Sequence, residues 1–188
     1  MRTRIEALIG VLLILPWISV SAVSVSMPIG VDVQIALFVN VWKLDRNLES
    51  NKPVTLAIVY QESFYDSVSA KDDLLAAIAR QKLRIIAIPV EAGSQELLRK
   101  HLAETQADVV YVTPLRAIDV AEIGRISRYR RFRTITGVPE YVDAGLAVGI
   151  GIRRNRPLIF VNLEQSRAEG SDFSSQLLAL ARIVGPLR

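Results

Sequence analysis

Apolar and polar positions alternate along this chain in a regular order. Val54–Tyr60 (VTLAIVY) is an apolar run, as expected of a strand covered on both faces. Ser67–Gln81 carries Leu74, Leu75 and Ile78 at helical spacing. Leu83–Val90 reads as a second strand, and Ser94 is placed to cap a helix through Gln106 with Leu97, Leu98 and Leu102 inward. Asp108–Thr113 is a third strand, Leu115–Arg128 a third crossover helix, and Phe132–Thr136 a fourth strand. Strands separated in this way by helices predict a parallel α/β sheet. Ahead of them, Val31–Trp42 is apolar on more than one side, which predicts a helix with one face on the core and a second on the core or a partner.

The order then changes. Leu146–Ile152 and Leu158–Asn162 are separated only by a short basic turn with Asn155 at its tip. So close a pair predicts an antiparallel hairpin, since a parallel return needs a crossover of a dozen or more residues. Its small face, Ala147, Gly149 and Gly151, admits close approach of a packed helix or of a ligand. Leu163–Glu169 reads as helical. A last helix over Ser174–Val184, capped by Ser171 or Asp172, ends at Gly185-Pro186. The expected fold is a single-domain α/β protein: a mainly parallel sheet flanked by helices, with a C-terminal antiparallel hairpin and final helix.

The first residues change the picture of where the protein works. Arg2 and Arg4 precede an uncharged stretch from Ala7 to Val25, with Leu8–Leu15 its most apolar part and Val20-Ser21-Ala22 a small-residue cleavage pattern. Residues 1–22 are therefore expected to be a signal peptide, with an uncleaved anchor as the alternative, and residues 23–188 the exported domain in the periplasm. The chain has 188 residues and a formal net charge of +4, too small an excess to indicate a nucleic-acid partner. It has no cysteine and one histidine, which excludes disulfides, thiol catalysis and metal sites built on cysteine or on several histidines.

Chemistry-bearing motifs are few. Gly149-Ile-Gly151 lacks the third glycine and the following helix of a dinucleotide fingerprint. Glu62, Asp66, Asp72 and Asp73 suit the start of a helix as well as they suit acid–base work. His101 lies among leucines of a helix, a packing position. Gln61, Glu62, Glu91, Gly93, Thr113, Arg116, Gly137 and Glu140 fall at the carboxyl rim of the strands, where open parallel sheets bind ligands. No catalytic, cofactor or metal residue is assigned. The most distinctive group is basic: Arg125, Arg128, Arg130, Arg131 and Arg133, interleaved with Tyr129 and Phe132. Arginine with aromatics is the composition of interface hot spots. These five arginines are assigned to a protein partner, and Phe38 and Trp42 of the first helix to self-association as a homodimer.

Tyr141 to Val184 resembles the YfiR family of small exported regulators. The matching features are Ala144-Gly145, the basic hairpin Arg153 to Arg156, Val161-Asn162, Gly170, and the run Ser174 to Ala181 (SSQLLALA). The opening segment Ile35–Asp45 is also similar. Alanine stands where the family has the first Gly of a Gly-Gly pair, and the absence of cysteine removes redox control. The resemblance implies a periplasmic protein that is not an enzyme and takes no cofactor. It implies repression of an inner-membrane signalling protein, a diguanylate cyclase or receptor, in cyclic-di-GMP signalling and biofilm regulation. It further implies a dimer and release by an outer-membrane lipoprotein. A small-solute-binding protein of the periplasm is the rival reading.

Overall fold

The computed structural model describes residues 27–49, 51–116 and 118–185. The expected signal peptide lies outside them. The first helix, α1, spans Val31–Lys43. It is followed by β1 Val54–Tyr60, α2 Tyr65–Arg80, β2 Ile85–Glu91, α3 Gln95–Glu104, β3 Val109–Val112, α4 Val120–Arg130 and β4 Arg133–Thr136. The remainder is α5 Glu140–Asp143, β5 Val148–Arg153, β6 Arg156–Asn162, α6 Leu163–Ala168, α7 Ser175–Leu180 and β7 Arg182–Val184. One sheet holds the strands in the order β2-β1-β3-β4-β5-β6-β7. The strands from β2 to β5 pair in parallel, β5 and β6 antiparallel, and β6 and β7 in parallel.

Alternation along the central strands divides the core in two. Leu56, Ile58, Val109 and Tyr111 join Ile35, Phe38 and Trp42 of α1 and Leu74 and Ile78 of α2 on one face. Ala57, Val59, Val110 and Val112 join Leu98 and Leu102 of α3 and Ile123 of α4 on the other. Both faces are dry, which is why β1 and β3 are written in apolar residues almost without interruption. An Asp32–Arg80 ion pair at 2.7 Å ties α1 to α2 on the outer surface.

The hairpin forms as expected. Arg154 and Asn155 both take positive φ, 49° and 61°, the two-residue turn whose twist suits adjoining strands. Its small face receives protein and not a ligand: a side chain at Gly149 would strike Val142 of α5, and one at Gly151 would strike Pro139 and Phe160.

Most boundaries shift by a residue or two from the sequence reading, and two differ by more. Residues 114–116 form a loop, where a helix was expected from Leu115. The Tyr141 hydroxyl accepts from Leu115 N at 2.8 Å and donates to its carbonyl at 3.2 Å. The helix begins only after Asp119, whose carboxylate accepts from Ala121 N. The last helix stops at Leu180, and Arg182–Val184 is a strand paired along β6. Without it, β6 would present an unpaired edge, and pairing that edge outweighs about one more helical turn.

Candidate functional site

The carboxyl rim was the first place to expect a ligand. The strand order reverses at β1, so the crevice belongs between the ends of β1 and β3. The protein's own side chains occupy it. Ser67 Oγ accepts from Gln61 N at 2.8 Å and lies 2.6 Å from Thr113 Oγ1, which bonds the Val59 carbonyl. Gln61 Oε1 accepts from Arg116 N, and the Arg116 guanidinium stacks 4.1 Å above Phe64. Beyond β4, the Gln34 side chain of α1 fills the space left by Gly137. Gln34 donates to the Ile29 carbonyl at 2.6 Å and accepts from Tyr111 Oη at 2.9 Å. The Ser67, Thr113, Gln34 and Tyr111 side chains at this crevice are thus bonded within the fold, which leaves few of its buried groups for a solute to engage. His101 donates from Nδ1 to the Glu91 carbonyl at 3.0 Å, and Asp66 lies in the first turn of α2.

The basic run does not form one surface. It crosses the end of α4, a left-handed residue and the start of β4, and so points in several directions. Arg125 pairs with Asp119 at 3.2 Å and with Glu122. Glu122 also receives Arg99, and these guanidinium bonds, Arg99 first, hold its carboxyl below the usual range against the opposing effect of burial. Arg130 donates to the Ala103 carbonyl. Arg133 turns inward, with Nε 3.0 Å from Asp45 Oδ2 and a second bond to the Asn47 carbonyl. Its side chain is 15% exposed and that of Asp45 only 2%, which makes this a buried pair with a structural task.

Arg128, Arg130 and Arg131 are exposed and make no ion pair among the described residues; Arg130 is held by the Ala103 carbonyl, which leaves Arg128 and Arg131 outward, and Tyr129 between them is 87% exposed. Arg131 ends α4 in the left-handed conformation, φ 59°, with its guanidinium against Gly170. Arg128 overhangs a cavity of about 220 Å³ shared with Asp143, Gly145, Asn162 and Glu164. This patch is supported from below by a buried carboxyl that sequence reasoning missed. Glu169 is completely buried and accepts from Ser127 Oγ, Thr134 N, Thr134 Oγ1 and Gln165 Nε2 at 2.6–2.8 Å. Burial pushes its pKa up to about 7, although the hydrogen bonds act in the opposite direction. A lone Glu in a short polar helix carries no sequence signal for such a role.

The residues assigned to self-association are also placed by the fold. Phe38 has no exposed surface and meets Tyr111 edge-on, with ring centroids 6.0 Å apart. Trp42 is 7% exposed. Both rings are interior packing, so the outer side of α1 consists of other residues, Val33 among them at 46% exposure.

The residues from the C-terminal third that looked distinctive have turn and cap duties. Asn162 ends β6 and caps α6 by accepting from Gln165 N at 3.0 Å. Gly170 has φ +96° after that helix and Gly145 has φ +113°, conformations that side chains resist. Ser174 caps α7, and Leu177 enters the core. A family model described as YfiR/HmsC-like matches residues 33–182, nearly the whole of this architecture. The chain belongs to that family.

Solved structures are similar in fold at low identity. A ligand-free, open substrate-binding protein with adhesive properties from Clostridium difficile aligns with TM-score 0.63 and 13% identity, covering 85% of this chain and 61% of its own. An ABC domain in complex with L-Trp from Streptococcus pneumonia aligns at 0.65 and 10%, covering 82% and 62%. A conserved domain protein from Vibrio cholerae aligns at 0.63 and 13%, covering 81% and 59%. The chain thus spans about six-tenths of the length of these structures. No curated protein matches the sequence. Among the described residues, no helix is long and apolar enough to cross a membrane.

Proposed function

We propose that this YfiR/HmsC-like protein is a periplasmic, non-enzymatic regulator that binds the periplasmic domain of an inner-membrane signalling protein and represses a diguanylate cyclase. Family membership over residues 33–182 supports the regulator class. The observation that carries the contact is the outward patch of Arg128, Tyr129 and Arg131 at the end of α4. An exposed aromatic between two arginines offers flat apolar area with directional bonds to carboxylates, and so fits an acidic partner surface. Arg130 sits at its margin. Arg125, on the surface, and Arg133, turned inward, are already matched in charge by Asp119, Glu122 and Asp45. A homodimer and release by an outer-membrane lipoprotein belong to the same proposal. The dimer contact then has to use exposed apolar residues such as Ile86 and Ile88 on the edge strand β2.

The test is capture of the cyclase from solubilised membranes by the exported protein. Arg128→Glu with Arg131→Glu is expected to reduce capture at least tenfold and to relieve repression, with an unchanged thermal midpoint. Capture equal to wild type rejects the patch. Intact mass of protein from a periplasmic extract checks the location, and a mature chain starting at Val23 or within a few residues is the expected result. Full-length protein confined to membranes would overturn the soluble reading.

A further inference from the structure

We propose that a groove at the amino ends of β1 and β2 is a binding site for a medium-chain aliphatic carboxylate. The groove encloses about 210 Å³ and lies at the far end of the strands from the carboxyl rim. It is separate in residues from the α4 patch. Its walls are Val39 and Trp42 of α1, Leu48 and Val54 around the following loop, and Leu83 and Ile85 entering β2. Five of these six side chains are aliphatic, a lining that suits a flexible alkyl chain better than a flat ring.

Charge at the mouth selects the other end of the ligand. Lys43, Lys52 and Arg84 border the groove, against Glu49 alone. Lys52 and Glu49 neutralise each other at 2.6 Å. Arg84 uses one nitrogen on the Asn51 carbonyl. Lys43 is exposed and makes no ion pair among the described residues. An apolar slot with two uncompensated cations at its entrance matches a molecule with an apolar body and an anionic head. Trp42 adds an independent sign of a missing acceptor: its Nε1–H is buried and has no hydrogen-bond partner. An apolar cavity of about 150 Å³ accommodates benzene, so this one has room for a chain of about seven or eight carbons.

Octanoate is the probe, titrated into the full chain by calorimetry with Trp42 emission as a second signal. Octanol and butyrate serve as the uncharged and short controls. Saturable 1:1 binding is expected for octanoate, with at least tenfold weaker binding of either control. Lys43→Glu, at an exposed position, is expected to weaken octanoate at least fivefold. Val39→Trp, which fills the groove from α1, is expected to abolish binding while the circular dichroism melt shows a folded protein. The site is rejected by non-saturable heat, by octanol binding as tightly as octanoate, by a Lys43 variant of unchanged affinity, or by a folded Val39 variant that still binds. None of these readouts involves membrane capture, so the regulator reading stands or falls separately.

Discussion

Glu169 shows how one side chain can tie together parts of the chain that are remote in sequence. Its four donors come from α4, β4 and α6, and all are neutral. Burial raises its pKa to about 7 in the fold, above the ordinary carboxyl value in the unfolded chain. The folded state therefore binds the extra proton, and this contribution to stability is present at pH 4.5 and lost as pH rises through 7. The denaturant midpoint of the wild type is expected to fall over that window, and Glu169→Gln to flatten the fall. A wild-type midpoint that rises between pH 5 and 8 would contradict the burial argument. Phe38 makes a simpler case. Phe38→Asp places a charge beside Tyr111 in a dry core and is expected to leave the chain unfolded, as read by circular dichroism. A folded protein with altered sedimentation would instead return Phe38 to an outer contact.

The elements divide into those written plainly in the sequence and those that are not. β1 and β3 are legible because both their faces are covered, and the hairpin because Asn155 marks its turn. The end of the chain is not. Leu177 to Val184 is apolar at positions that satisfy a helix and a strand alike, and only the open edge of β6 decides where one gives way to the other. The arginine cluster misleads for a related reason. Five arginines in nine residues are neighbours in sequence, but the left-handed turn at Arg131 sends Arg133 inward to Asp45 while Arg128 stays outside. No spacing rule foretells that reversal. Within α7 the packing is one-sided. Leu177 is 1% exposed, whereas Leu178 only borders the core. Leu177→Ala is expected to cost ~2–5 kcal/mol and Leu178→Ala clearly less, measured by urea titration.

Across the molecule, the two ends of the domain are joined. Asp45, just after α1, accepts from Asp172 N, bridges to Phe173 and pairs with Arg133. Arg46 reaches Asp172 across 126 positions of chain, and Ser174 N donates to the Leu44 carbonyl. The arginine patch on α4 and the groove beside Trp42 share no residue, so each can be altered in mutants without touching the other. The seam also sets an order of events. The first helix is made long before the residues that lock its end, which follow 126 positions later. Until then Phe38 and Trp42 have only part of their packing. A chain threaded outward through a membrane would carry that half-covered helix until Asp172, Phe173 and Ser174 follow, and closing so long a loop is slow. The protein's need for a holding chaperone would accordingly be greatest before Asp172, Phe173 and Ser174 emerge, and would end abruptly when they do.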